Sequence, residues 1–73
     1  MNEAGAPVLL AIEEAVAVIT LNRPQVLNAI DAATARAFGE AVADIAGNPA
    51  VRCVLLRGEG RAFCAGGDVS RFV

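Results

Sequence analysis

The sequence of 73 residues has no histidine, lysine, tryptophan or tyrosine, and these absences exclude several kinds of protein. Six arginines stand against eight acidic residues, so the net charge is −2. The chain therefore lacks the basic excess with which proteins bind nucleic acid. Its three phenylalanines are too few to build platforms on which bases stack. We therefore predict no nucleic-acid partner.

Long apolar runs are also missing. A span across a bilayer takes about 20 apolar residues, and an uncharged stretch such as Ala15–Asn22 is far shorter. The N-terminus has neither the basic start nor the apolar run of a secretory signal peptide. The sequence therefore predicts no membrane partner and a cytoplasmic location.

Cysteine is scarce. Cys53 and Cys64 cannot supply the four ligands of a structural zinc site without a histidine, so no metal is expected. We interpret both as buried thiols, because an unpaired cysteine behaves as a small hydrophobic residue.

Apolar residues, in contrast, are in excess. They make up 56% of the chain, compared with about 45–50% in an average domain. A chain this short buries only about 60% of the surface that it exposes when unfolded. Its interior is too small for so many apolar side chains. The composition therefore predicts a fragment or subunit whose apolar faces pack against more protein.

The first half of the chain predicts a β-hairpin after a leader of residues 1–7. Two short apolar runs, Val8–Ile12 and Val16–Leu21, form its strands. The turn at Glu13–Glu14 lacks the glycine or asparagine that favours a tight loop. Pro24 ends the second strand, because proline has no backbone donor.

A helix is predicted next. Asp31 is its N-cap, with Asn28 as the alternative, and Gly47 followed by Pro49 ends it. Apolar residues at spacing i, i+3, i+4 and i+7 form its packing face. They are Phe38, Ala41, Val42 and Ile45.

A third strand is predicted at Val51–Arg57. Apolar residues on both of its faces are typical of a parallel sheet that is covered on both sides. With Val16–Leu21 and the helix it forms a strand–helix–strand crossover. A second helix is expected to start near Gly67, and Val73 lies about one turn into it. The chain is therefore predicted to be truncated within a helix.

Chemistry is expected in the glycine-rich stretch after the third strand, because ligands bind beyond the carboxyl ends of parallel strands. The stretch Gly58–Phe63 does not match the nucleotide-binding motif G-x-G-x-x-G, because Phe63 occupies the position of the third glycine. The free N–H groups of a helix that starts after Gly66 and Gly67 can hold an oxyanion. The alternative is an ordinary turn with Asp68 at the helix start. Without histidine or lysine the motif can stabilise charge but cannot move protons.

Four blocks of the sequence resemble the N-terminal part of the crotonase family, which comprises the enoyl-CoA hydratases, isomerases and related acyl-CoA enzymes. The blocks are Ile19–Pro24, Asn28–Ile30, Val51–Gly58 and Arg61–Val69. The resemblance implies an α/β spiral of strand–strand–helix units, of which residues 8–73 form the front part of an acyl-CoA domain. It also implies a homotrimer or hexamer.

The resemblance further implies a site. Family members hold a CoA thioester so that its carbonyl oxygen accepts two backbone N–H bonds, and the first donor corresponds to the N–H of Gly67. The resemblance implies coenzyme A as part of the substrate and implies no further cofactor. The residues that correspond to the CoA-binding wall are Ala65, Gly66, Gly67, Asp68, Val69, Val26 and Leu27.

Three functions stay open. The first is a hydratase or isomerase and the second is a 3-hydroxyisobutyryl-CoA hydrolase-like member, since the sequence Phe63–Val69 fits both groups. The third is a non-catalytic truncated fragment or interaction piece. In the family, the second oxyanion loop and the two glutamates of the hydratases correspond to positions beyond Val73. The resemblance therefore implies that the 73-residue chain is inactive by itself.

Overall fold

A computed structural model describes residues 5–64 of the chain. Within this range, a three-stranded sheet in the order β1-β2-β3 carries one long helix. The elements are β1 (Val8–Glu13), β2 (Val16–Leu21), a 3-10 turn (Pro24–Val26), α1 (Ala32–Ala46) and β3 (Cys53–Gly58). The predicted hairpin, helix and third strand are confirmed. The second helix falls in residues 65–73, outside the described residues.

The hairpin turns one residue later than predicted. Strands β1 and β2 pair antiparallel with Glu13 opposite Val16, so Glu14 and Ala15 form the loop. Glu14 takes a left-handed φ of 56°, which is the conformation that a tight two-residue hairpin turn requires. The first strand therefore extends beyond Ile12 to Glu13.

The crossover that the sequence predicts brings β3 parallel to β2. Val16 lies opposite Cys53 and Leu21 lies opposite Gly58. Strand β3 begins at Cys53 rather than at Val51, because the N–H of Val51 donates to the carbonyl of Asn48 in the turn after α1. The parallel register places the carboxyl ends of β2 and β3 side by side.

Helix α1 begins at Ala32, with Asp31 as its N-cap. The Asp31 carboxylate accepts a hydrogen bond from the backbone N–H of Thr34 at 2.8 Å. Hydrogen bonding to Thr34 lowers the pKa of Asp31, and the guanidinium of Arg23 acts in the same direction. The N-cap at Asp31 is confirmed, and the alternative at Asn28 is wrong.

The apolar face of α1 is narrower than predicted. Ala41 is buried, and Phe38 and Ile45 pack partly buried against the core, but Val42 is 44% exposed. Val42 lies at the margin of the face, beyond the reach of the sheet. Gly47 caps the end of the helix as predicted.

The core lies between the sheet and α1. Ile30 and Phe38 pack against its buried apolar side chains. These are Val8, Ile19, Leu21 and Ala41. No helix within residues 5–64 has the length and apolar character needed to cross a bilayer.

Strand β3 exposes the apolar side chains that were expected to be covered. Val54 is 50% exposed, Leu55 52% and Leu56 41%. The reason is that strand side chains point out of the two faces of the sheet, and within residues 5–64 α1 packs mainly against β1 and leaves β3 largely uncovered. Cys53 is exposed on the same strand and Cys64 is half-buried, so the interpretation of both as buried thiols is wrong.

We expect the 73-residue chain in isolation to self-associate through β3, because apolar patches of more than a few hundred Å² promote association. Sedimentation velocity measures this directly. Leu55→Glu is expected to shift the chain towards monomer, since it places a charge within the patch. Ala50→Glu, also at an exposed position but outside the strand, is the control. A monodisperse wild-type monomer would contradict this expectation.

Candidate active site

The candidate site lies beyond the carboxyl ends of β2 and β3. Leu21 pairs with Gly58 at this edge, and a loop leaves each strand here. The first loop is residues 22–31 and the second is residues 59–64. Ligands of parallel sheets bind at such edges, which is why this edge is the candidate site.

The first loop is folded by its own polar groups. The side chain of Asn22 donates from Nδ2 to the carbonyl of Ala6 at 2.9 Å, which ties the loop to the segment before β1. The Arg23 guanidinium donates to the carbonyl of Ala29, and it lies 3.5 Å from the Asp31 carboxylate. These bonds span the loop from its first residues to the start of α1.

A turn at the tip of this loop carries both CoA-contact residues predicted there. The 3-10 turn Pro24–Val26 is followed by Leu27 at φ 56° and Asn28 at φ 58°. Val26 is 39% exposed and Leu27 is half-buried. A left-handed conformation is unusual for leucine, so neighbouring interactions must hold it in place.

The side chain of Asn28, the next residue, is the most strongly bonded group of this turn. It is 1% exposed, and its Oδ1 accepts from the backbone N–H of Arg23 at 2.7 Å. Its Nδ2 donates to two carbonyls of the second loop, those of Glu59 and Ala62, both at 2.8 Å. Asn28 thereby ties the two loops together.

Sequence reasoning assigned Asn28 only an alternative capping role and missed this contact. The one available signal was an asparagine in a turn shortly after a proline, since asparagine tolerates the left-handed conformation. The partners lie 31 and 34 residues further along the chain, where no local pattern points to them.

Two glycines let the second loop approach the first. A Cβ built on Gly58 would lie 2.4 Å from the carbonyl oxygen of Phe63 and 2.9 Å from Nδ2 of Asn28. Gly60 has a φ of +83°, and a Cβ there would lie 2.8 Å from Cβ of Pro24. These glycines therefore serve close packing between loops rather than the cradling of a phosphate.

We expect Gly58→Ala to destabilise the complete protein by about 1–3 kcal/mol, because the added methyl group has no room without a backbone shift. Gly39→Ala is the matched control. Gly39 lies in α1 with open space at its Cβ position, so the same change should stabilise the helix by up to about 1 kcal/mol. Urea unfolding of the two variants measures both effects, and equal stability of Gly58→Ala and wild type would contradict the first.

An apolar cavity of about 320 Å³ lies beside the second loop, between α1 and β3. None of its lining residues carries a charge, so it suits hydrocarbon groups and offers no acid or base. It is lined by Leu21, Ile30, Ala35, Phe38, Leu56, Phe63 and Cys64. Five of the predicted site residues follow Cys64 directly and lie outside the described residues: Ala65, Gly66, Gly67, Asp68 and Val69.

Comparison with known proteins decides the family. Residues 16–73 match the model of the enoyl-CoA hydratase/isomerase family, which is more than half of the chain. The chain belongs to the enoyl-CoA hydratase/isomerase family. The resemblance found in the sequence, and the crotonase-like α/β fold that it implied, are thereby confirmed.

Curated relatives of this chain are named for different reactions. The chain is 41% identical over 66 residues to 3-hydroxyisobutyryl-CoA hydrolase 1 of Arabidopsis thaliana, covering 90% of this chain and 18% of that protein. It is also 41% identical over 64 residues to a Mycobacterium tuberculosis protein named "Probable enoyl-CoA hydratase echA14", covering 88% of this chain and 25% of that protein. This portion is thus shared by proteins named as a hydrolase and as a hydratase.

Solved structures place the same portion in the same fold. The crystal structure of an enoyl-CoA hydratase from Mycobacterium tuberculosis H37Rv superposes with a TM-score of 0.85 at 38% identity. The match covers 90% of this chain and 30% of the hydratase. The chain therefore spans less than a third of the length of these enoyl-CoA hydratase/isomerase family members.

Proposed function

We propose that the complete protein that carries this chain acts on acyl-CoA thioesters, with the backbone N–H of Gly67 polarising the thioester carbonyl. The family match across residues 16–73 carries this proposal. The position of the two loops supports it. Val26 and Leu27 lie in the first loop, and the second loop leads from the same sheet edge towards Gly67.

In the hydratase version, water adds across the 2,3 double bond of an enoyl-CoA. The reaction passes through a thioester enolate whose negative charge gathers on the carbonyl oxygen. A backbone N–H aimed at that oxygen stabilises the charge more strongly in the transition state than in the substrate. Gly67 supplies one such donor in this proposal. A second N–H comes from sequence beyond Val73.

Proton transfer needs groups from outside the described residues. Glu13 at the end of β1, Glu14 in the hairpin turn, and Glu40 and Asp44 on α1 are exposed and lie away from the candidate site. Glu59 lies in the second loop, with its carboxylate 3.8 Å from the guanidinium of Arg57. We therefore assign none of them as acid or base. Coenzyme A is part of the substrate, and we propose no metal and no further cofactor.

Thioester hydrolysis is the second candidate, favoured by the 41% identity to the Arabidopsis 3-hydroxyisobutyryl-CoA hydrolase. In this version water adds to the carbonyl carbon itself, and the thiol of coenzyme A leaves. The same N–H group would hold the oxyanion of the tetrahedral intermediate. The two reactions therefore use the same part of the site.

Assays on the full-length protein separate these candidates. Crotonyl-CoA and 3-hydroxyisobutyryl-CoA are each incubated with it. Loss of enoyl absorbance without release of thiol indicates a hydratase, and release of thiol from the second substrate indicates a hydrolase. Failure to bind or convert any acyl-CoA would contradict the proposal and leave the third interpretation, a non-catalytic interaction piece that packs through the exposed face of β3.

We further propose the assembly, location and partners of the complete protein. It is a cytoplasmic homotrimer or hexamer without nucleic-acid or membrane partners. The family resemblance supports the assembly, and the uncovered apolar face of β3 supports burial against more protein. Sedimentation equilibrium of the full-length protein measures its subunit number.

A further inference from the structure

We propose that Asn28 is a positioning residue, whose carboxamide sets the distance between the Val26–Leu27 turn and the loop that leads to Gly67. This inference rests on the proposed function, in which the two segments bind the same acyl-CoA. It adds a residue that contacts neither the thioester nor coenzyme A. Asn28 would act through the backbone of the loops that it joins.

The hydrogen bonding of Asn28 is complete on both loops. Both hydrogens of Nδ2 are used, one on the carbonyl of Glu59 and one on the carbonyl of Ala62. Oδ1 accepts from the backbone N–H of Arg23, whose carbonyl in turn accepts from the N–H of Asn28 at 2.8 Å. At 1% exposure, water cannot replace these bonds without opening the loops.

No other side chain satisfies this position. Aspartate has the same shape but no donor, and its carboxylate would face two carbonyl oxygens. Glutamine is one methylene longer, so its amide could not reach the same three partners in the enclosed space around Asn28, which is 1% exposed. The left-handed φ of 58° at Asn28 further favours asparagine over most residues.

The residues that Asn28 joins lie close along the chain to both halves of the proposed site. Leu27 precedes Asn28 directly, and Ala62 lies three residues before Ala65, where the predicted CoA-binding segment begins. A displacement of about 1 Å of a positioned group can cost about 10²-fold in rate. Loss of the Asn28 carboxamide can therefore lower the reaction rate, although Asn28 itself takes no part in the reaction.

The test is Asn28→Asp in the full-length protein. We expect kcat to fall about 10²-fold with little change in KM, because the N–H of Gly67 acts mainly in the transition state. The infrared carbonyl band of bound crotonyl-CoA should return towards its frequency in water. A purely structural role would lower the fraction of active protein but leave this band and the kcat per active site unchanged.

Asn48→Asp is the matched control. It makes the same exchange of a carboxamide for a carboxylate, but Asn48 lies in the turn after α1, outside both loops, where its Oδ1 accepts from the backbone N–H of Ala50 at 3.0 Å. We expect it to keep the wild-type kcat and the wild-type carbonyl band. Asn28→Gly is the second variant, because glycine accepts the left-handed conformation and leaves room for water. It should show the same loss as Asn28→Asp.

The outcomes separate this inference from the proposed function. If the wild type binds no acyl-CoA, the proposed function fails and this inference fails with it. If the wild type polarises the carbonyl of bound crotonyl-CoA, and an Asn28→Asp or Asn28→Gly variant that folds normally polarises it to the same extent, the proposed function stands and only the role of Asn28 is wrong. If both Asn28 variants fail to fold while Asn48→Asp folds, Asn28 serves stability alone and the inference is overturned.

Discussion

Gly67→Pro in the complete protein is expected to lower turnover of the acyl-CoA substrate about 10²–10³-fold, the usual effect of losing one oxyanion donor. Proline removes the backbone N–H outright and fixes φ near −65°. Gly67→Ala keeps the N–H, so its effect should be smaller unless φ is positive at this residue. Steady-state kinetics with purified variants measure the difference, and circular dichroism checks that each variant folds.

Cys64→Ser is the control for this experiment. Cys64 lines the apolar cavity three residues before Gly67, and no step of the proposed reaction uses its thiol. Its activity should stay within a few-fold of the wild type. Full turnover by a normally folded Gly67→Pro variant, or abolition of turnover by Cys64→Ser, would show that the oxyanion assignment is wrong.

The 73-residue chain by itself is expected to show no hydratase activity. A positioned acid or base contributes about 10²–10⁴-fold to a rate, and within the described residues no carboxylate is assigned to either role. The second oxyanion donor is also proposed to lie beyond Val73. Crotonyl-CoA hydration, followed through the loss of enoyl absorbance, should therefore proceed at the rate of buffer alone.

The full-length protein, assayed at the same molar concentration, is the positive control for this measurement. A mock preparation from host cells that lack the gene, purified in the same way, controls for a co-purified host enzyme. Turnover above the buffer rate that follows the 73-residue chain through successive purification steps would contradict the expectation. It would also require an acid and a base within residues 1–73.

Local sequence patterns predicted most of the fold. The hairpin followed from two β-branched runs, and the helix followed from the Asp31 cap, the 3.6-residue apolar period and Gly47. These signals depend on neighbours within a few residues, so the sequence carries them in full. The errors are of one residue at the hairpin turn and two at the start of β3, where hydrogen bonding of the turn decides the boundary.

Burial was harder to predict, because it depends on which surfaces meet. Val42 has the helical spacing of the residues that face the core, but it is exposed. The apolar stripe of α1 that the sequence predicts is wider than the part of α1 that the core covers. Cys53 and Val54 belong to an apolar strand whose faces are left largely uncovered by the rest of residues 5–64. The sequence indicates that these residues favour burial but not whether the described part of the chain covers them.

The sequence by itself determined the secondary structure, the family and the expectation of an acyl-CoA site near Gly67. The tertiary structure alone revealed that Asn28 joins the two loops of that site and that Gly58 has no space for a side chain. The physical reason is the distance along the chain. A carboxamide bonded to carbonyls 31 and 34 residues away leaves no periodic or adjacent signal in the sequence, and only folding brings the partners together.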